Sequence, residues 1–215
     1  MTATVGIILD FAIYISGIIA LVRFKSINPA FYPFIYCTWI GCLNETLSTI
    51  LIYNGYHSLL NSNIYVLIEA ILFLQFFNKL GTISRSMFQW LLVSVVLVWI
   101  SENFILGSIT RNSTYFRIYY SWVLVLASIH TINDLITSGT RKLETNSTFL
   151  ICIGFVIYYT YKILVQAFVI YAVMQSQSFL MSIYVIMFYI NFGTNLLYAV
   201  AVLWMPRKLG FSMRY

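Results

Sequence analysis

Charge is what this sequence has least of. Only 8% of its 215 residues are Asp, Glu, Lys or Arg, about a third of the share carried by soluble domains. Hydrophobic residues make up 61% and the mean hydropathy is +0.88, so there is too little polar side chain to coat a globule in water. That excludes a soluble enzyme and a disordered chain. It also excludes a nucleic-acid partner, despite a net charge of +6. Cysteine is scarce as well: Cys37, Cys42 and Cys152 all lie inside apolar runs, which indicates neither a disulfide framework nor a cysteine-rich metal site. The two histidines, His57 and His130, are too few for the zinc site of seven-helix ceramidase-type hydrolases, which takes about three. All three prolines (Pro29, Pro33, Pro206) fall at the edges of apolar runs, so none interrupts one.

What is present is long apolar stretches. About 20 such residues cross about 30 Å of hydrocarbon, and seven runs qualify: 5–22, 31–53, 62–79, 87–108, 116–137, 148–174 and 178–204. Polar, turn-prone links such as Asn54-Gly-Tyr-His57 and Arg111-Asn-Ser-Thr114 separate them. The sequence therefore predicts an all-α polytopic membrane protein, a single seven-transmembrane-helix bundle. Met1-Thr-Ala-Thr-Val-Gly6 has no basic stretch and no cleavage site, and reads as mature protein rather than signal peptide.

Lysine and arginine set the expected orientation. Nine of them (Arg23, Lys25, Lys79, Arg85, Arg141, Lys142, Arg207, Lys208, Arg214) fall at one set of run ends, and only Arg111 and Arg117 at the other. The positive-inside bias then places the N-terminus outside and the C-terminus in the cytoplasm. Tyr53, Tyr56, Tyr115, Tyr119 and Tyr120 are expected as an outer aromatic belt, with Phe31, Tyr32, Trp90 and Trp204 as an inner one. The basic excess becomes a topology signal and a contact with an anionic cytoplasmic leaflet.

The few acids are in the wrong place for solubility. Of six, five fall within the apolar runs (Asp10, Glu45, Glu69, Glu102, Asp134), and only Glu144 is in a link. A charge at the bilayer centre costs about 2.5–3.5 kcal/mol on insertion scales, so such residues face the bundle interior or water. Interhelical hydrogen bonds return only about 0.6 kcal/mol on average, which hardly offsets three buried glutamates acting as structural glue. Helical spacing sets Tyr65 one turn from Glu69, and makes stripes of Tyr158, Lys162 and Gln166 and of Asn191 and Asn195. The expected site is an outward-opening polar cavity lined by Glu45, Glu69 and Glu102, with Lys162 as its floor and Tyr65, Asn191 and Asn195 beside it. His130 and Asp134, one turn apart, form a candidate proton relay. A structural ion or hydrogen-bonded pair is the alternative for each of these.

No P-loop, GxSxG, HExxH or CxxC occurs, and no cofactor is expected. Retinal is disfavoured, since the last run holds no lysine before Lys208. Internal repeats and Gly- or Pro-broken helices, which advertise transporters, are lacking, and without a GxxxG pair no dimerisation face can be named.

The run Asn63-Ile-Tyr65-Val-Leu-Ile-Glu69-Ala-Ile-Leu-Phe73-Leu-Gln-Phe-Phe77 resembles a group of small seven-helix proteins of Bacteroidota-type bacteria. Phe31-Tyr-Pro-Phe34, Asn44-Glu45, Asn195-Leu-Leu-Tyr198 and Leu203-Trp-Met-Pro206-Arg-Lys208 fit the same pattern. The resemblance implies a bacterial inner-membrane location and, since such proteins are often encoded beside sensor kinases, a sensory role. It carries no activity onto Glu45, Glu69 or any other position. The leading expectation is a sensor or receptor-like module that binds a small ligand or ion and signals to a cytoplasmic partner. A proton- or cation-coupled transporter using the buried glutamates is the runner-up, and an intramembrane lipid enzyme the third reading.

Overall fold

The computed structural model describes residues 9, 11–139, 142–170 and 177–208. Asp10, Arg141 and Arg214 lie outside them. Among the described residues the chain is an all-helical bundle of seven helices. These are α1 (Ile13–Arg23), α2 (Tyr32–Tyr53), α3 (Leu59–Leu80), α4 (Arg85–Ile100), α5 (Thr114–Thr137), α6 (Ser147–Ile170) and α7 (Gln177–Trp204). A π-helical turn, Ser101–Leu106, prolongs α4.

Local chemistry starts and stops these helices. The Ser84 hydroxyl accepts from the Met87 amide at 3.2 Å to cap α4. The Asn146 side chain does the same for Phe149 at the head of α6. Asn28 caps the short turn Pro29–Phe31 that leads into α2, with Pro29 at its first position, where a missing N–H costs nothing. Gly81 ends α3 in the left-handed conformation at φ 80°, which a side chain there would strain.

Among the described residues, five helical stretches are long and apolar enough to cross a membrane: Pro29–Tyr53, Leu59–Leu80, Arg85–Leu106, Ser147–Ile170 and Met181–Trp204. The other two fall short for different reasons. α1 is described over eleven residues only. α5 has 24 residues but carries Arg117, His130, Asn133 and Asp134 among its apolar ones. Its outward side still presents Trp122, Leu126, Ile129 and Ile136.

Consecutive helices pack side by side, α5 against α6 most extensively, and α7 returns to α1 to close the ring. α3 touches α5 as well as its sequence neighbours, so its residues stand near the middle. At one end, where α1 and α3 finish and α2 and α4 begin, Arg23, Lys25, Lys79, Arg85, Arg207 and Lys208 gather. There the Arg23 guanidinium donates to the Val202, Leu203 and Met205 carbonyls, stapling α1 to α7. The backbone pairs Asn28 N–H with Pro206 O at 2.9 Å and Lys208 N–H with Ser26 O at 2.8 Å.

The distribution of polarity is inverted relative to a water-soluble fold. Leu21, Val22, Tyr53, Trp90, Ile105 and Leu106 are exposed, while Ser16, Asn63, Glu69, Arg117, Ser121, Lys162 and Asn195 are buried. Polar groups turned inward beneath an apolar exterior suit a hydrocarbon surrounding. Toward the basic end the interior is aromatic. Phe34, Phe73, Phe76 and Phe155 pack together as tilted and edge-on rings at centroid distances from 4.5 to 6.5 Å. Tyr120, expected in the outer aromatic belt, is corrected to an interior position, and Arg117 on the same face turns inward with it. Tyr120 is only 1% exposed and Arg117 only 8%, because the α5 face that bears them packs on α6 and α3.

Candidate functional site

Glu69, at the middle of α3, is the hub of a buried cluster drawn from three helices. Its Oε2 accepts a 2.6 Å hydrogen bond from the Tyr120 hydroxyl on α5 and stands 3.6 Å from Lys162 Nζ on α6. Lys162 Nζ in turn donates to the Tyr120 hydroxyl oxygen at 2.5 Å. Glu69 Oε1 accepts from the Tyr65 hydroxyl at 3.1 Å, one helical turn away on α3 itself. The rings of Tyr120, Tyr158 and Tyr159 surround the Lys162 ammonium at 5.1, 5.2 and 5.3 Å from their centroids, within the range of cation–π attraction. Glu69 and Lys162 are each less than a tenth exposed. A charge so placed is tolerable only with a partner, and each is the other's.

A cavity of about 90 Å³ opens on the other side of Glu69, room for several waters or a small ligand. α2 contributes Glu45 to it, α3 contributes Tyr65 and Glu69, and α7 contributes Asn191, Thr194 and Asn195. The two asparagines are joined by an Asn195 Nδ2 donation to Asn191 Oδ1 at 3.2 Å. Ser16 of α1 and Thr38 of α2 add hydroxyls. Tyr158 and Tyr159 of α6 form one wall, and Phe34, Phe73 and Tyr198 close the end nearer the aromatic core. The cavity thus grades from carboxylate and amide to aromatic along the helices.

Two glycines make this geometry possible. A Cβ at position 154 would stand 2.4 Å from the Tyr198 ring, so only glycine lets that ring lie against α6. A Cβ at position 41 would stand 2.7 Å from Ile13 Cδ1 and 3.2 Å from the Tyr65 hydroxyl. The Tyr198 hydroxyl is buried without a hydrogen-bond partner among the described residues, and Tyr198 is part of the cavity lining.

Glu45, Glu69, Tyr65, Asn191 and Asn195 of the sequence-derived set therefore come together at one cavity, and Lys162 stands behind Glu69 rather than on its surface. Glu102 does not join them. It sits in the π-helical turn and accepts from the Tyr115 and Phe116 amides at 3.0 and 2.5 Å, capping the first turn of α5. A carboxylate suits a helix N-terminus, where free N–H groups and the macrodipole favour negative charge. His130 and Asp134 are not at the cavity either. Their side chains are 59% and 52% exposed and 3.6 Å apart on the outward face of α5.

Sequence reasoning missed Tyr120, Tyr159 and Tyr198. Tyr120 was hidden because a tyrosine near a span end reads as a belt residue. Its position one turn along from Phe116, and between Arg117 and Leu124 on one face, was the available signal. Tyr159 follows Phe155 at the same spacing.

A second polar cluster lies at the end opposite the basic one, around Asn63. Its Nδ2 donates to the Ile109 and Arg111 carbonyls at 2.8 and 2.5 Å, and its Oδ1 accepts from Arg117 at 3.2 Å. Trp99 Nε1 donates to the Asn63 carbonyl at 2.9 Å, and Ser113 donates to Asn103 Oδ1 at 2.8 Å. Asn112 reaches Gln166 of α6 at 3.1 Å. This cluster ties the α4–α5 link down. Among the described residues no group of three His, Cys, Asp or Glu side chains converges as a metal set. The chain matches no protein-family model, no curated protein and no solved structure.

Proposed function

We propose that this chain is a seven-helix membrane sensor or receptor-like module that binds a small ligand in the Glu45–Glu69 cavity and passes a helix shift to a cytoplasmic partner. In this reading all seven helices span, the N-terminus lies outside, and the basic end faces the anionic inner leaflet of a bacterial inner membrane. The nine-to-two distribution of Lys and Arg and the clustering of Arg23, Lys79, Arg85 and Arg207 at one end support that orientation.

The observation that carries the functional reading is the double engagement of Glu69. One side of its carboxylate borders the cavity, and its Oε2 holds Tyr120 of α5 and faces Lys162 of α6. A ligand that draws on Glu69 therefore competes with contacts that fix two other helices. A ligand shifts an equilibrium only by its differential affinity for two states, and an exchangeable buried pair is where that difference arises. The same pair also suits a proton- or cation-coupled carrier, with Glu69 and Glu45 taking up and releasing the ion.

Thermal unfolding in detergent, with a panel of small ions, amines and polar solutes, tests the reading. A ligand of the folded state raises the melting temperature by mass action. The expected result is that at least one compound stabilises the wild type and that Glu69→Gln abolishes the shift. If no compound does so, the cavity is not a ligand site. Spin labels at positions 79 and 145, at the basic ends of α3 and before α6, should then change separation with that compound. Accumulation of the compound in proteoliposomes would make the protein a carrier instead.

A further inference from the structure

We infer that the cavity between α2, α3, α6 and α7 is a site for a small organic ammonium ion, held by Glu45 and Glu69 against the tyrosine wall. The inference rests on the cavity being a ligand site, and it names the chemical class that such a site accepts.

Charge is the first argument. Among the described residues the cavity lining carries two carboxylates, Glu45 and Glu69, and no lysine, arginine or histidine. The Lys162 ammonium lies behind Glu69, 3.6 Å from its Oε2, and is not part of the lining. An anion entering here would meet carboxylates in a low-dielectric surrounding with no cation on the wall, which is strongly unfavourable. A cation meets the opposite.

The second argument is that the wall of the site already packs against an ammonium on its far side. Lys162 Nζ rests among the Tyr120, Tyr158 and Tyr159 rings and beside the Glu69 carboxylate. Tyr158, Tyr159 and Glu69 also face the cavity. One group of side chains thus presents a carboxylate and aromatic faces in two directions, and the chemistry that accepts the lysine head on one side accepts a free ammonium on the other.

The third argument separates an organic cation from a bare metal ion. Hard cations take six or more oxygen ligands at short distances. Here carboxylate and amide groups occupy one end only, and Phe34, Phe73 and Tyr198 form the other. That gradient fits a molecule with a charged head and a few carbons. The volume of about 90 Å³ limits the tail to a short one.

The test is a thermal-shift titration of the full chain in detergent with n-butylammonium, tetramethylammonium, 1-butanol, butyrate, sodium and potassium, all at constant ionic strength. Saturable stabilisation by one or both ammonium ions, with none by butanol or butyrate, is expected. Glu45→Gln should weaken the apparent affinity by at least about tenfold, a loss of one charge contact. Asn191→Asp, which adds a negative charge while keeping the acceptor for Asn195, should strengthen it, and this gain cannot arise from misfolding. Stabilisation by butyrate, butanol or the metal ions alone, lost in Glu69→Gln, overturns the ammonium assignment and leaves the ligand site standing. No stabilisation by any solute in this or the wider panel overturns both.

Discussion

The two buried polar clusters differ in construction. Around Asn63, beside side-chain bonds such as Arg117 to Asn63 and Ser113 to Asn103, side chains hold loop and helix-end backbone: the Ile109 and Arg111 carbonyls, the Ser113 amide and, through Glu102 nearby, the Tyr115 and Phe116 amides. Around Glu69, side chains satisfy one another across α3, α5 and α6, and a cavity adjoins them. A side chain locked onto loop carbonyls has one arrangement, because moving it orphans backbone groups. A carboxylate shared by two tyrosines and a lysine keeps acceptor capacity to spare, because its roughly four lone-pair sites outnumber the groups that approach it. Buried polarity alone does not mark a functional site. What its partners are, and whether open space adjoins it, separates the two clusters.

Breaking the ion pair should have the largest effect. Lys162→Ala leaves Glu69 as an uncompensated buried acid, and such removals cost about 3–5 kcal/mol. The Lys162→Ala/Glu69→Ala double variant should lose less than the sum of the two singles, measured by reversible unfolding in mixed micelles. Strict additivity would mean that the pair is not coupled.

Next comes Asn63→Ala, which leaves the Ile109 and Arg111 carbonyls without their donor. A loss of about 1–3 kcal/mol is expected, with ligand-induced stabilisation unchanged. If the ligand response vanished with it, the two clusters would not be independent. Gly154→Ala sharpens the cavity side of the comparison. Its new Cβ forces the Tyr198 ring away from α6, at a cost of about 1–3 kcal/mol. Because Tyr198 lines the cavity, this variant should weaken ligand binding as well as stability.

Glu102→Ala removes a helix cap and should cost about 0.5–2 kcal/mol without touching the ligand response. The smallest effect is expected for Asp134→Asn. Its partner His130 is more than half exposed, and surface substitutions of this kind stay within about 0.5 kcal/mol. A larger change in either stability or ligand response would return that pair to the site.

Much of the architecture was legible because hydropathy and punctuation act locally. Apolar runs bounded by Ser84, Asn146, Gly81 and Pro29 become helices whose ends fall within a turn of those runs. Whether α5 is a span was harder to read, since Arg117 and Asp134 dilute its apolarity and only packing shows that Arg117 turns inward. For the site, the i, i+4 relation of Tyr65 to Glu69 was visible, being a property of one helix. The meeting of Glu69 with Lys162 and Tyr120 was not, because it depends on how α3, α5 and α6 rotate against one another. Glu102 illustrates the same limit. Its depth in the run resembled that of Glu45 and Glu69, but the π-helical turn re-aims its carboxylate at the α5 amides, and no residue pattern in that run announces such a turn.

The most direct measurement is equilibrium binding of radiolabelled n-butylammonium to the purified wild type, Glu69→Gln and Asn63→Ala in detergent. The account predicts saturable binding to the wild type and to Asn63→Ala, and its loss in Glu69→Gln. Equal binding to all three, or binding lost in Asn63→Ala but kept in Glu69→Gln, would contradict it.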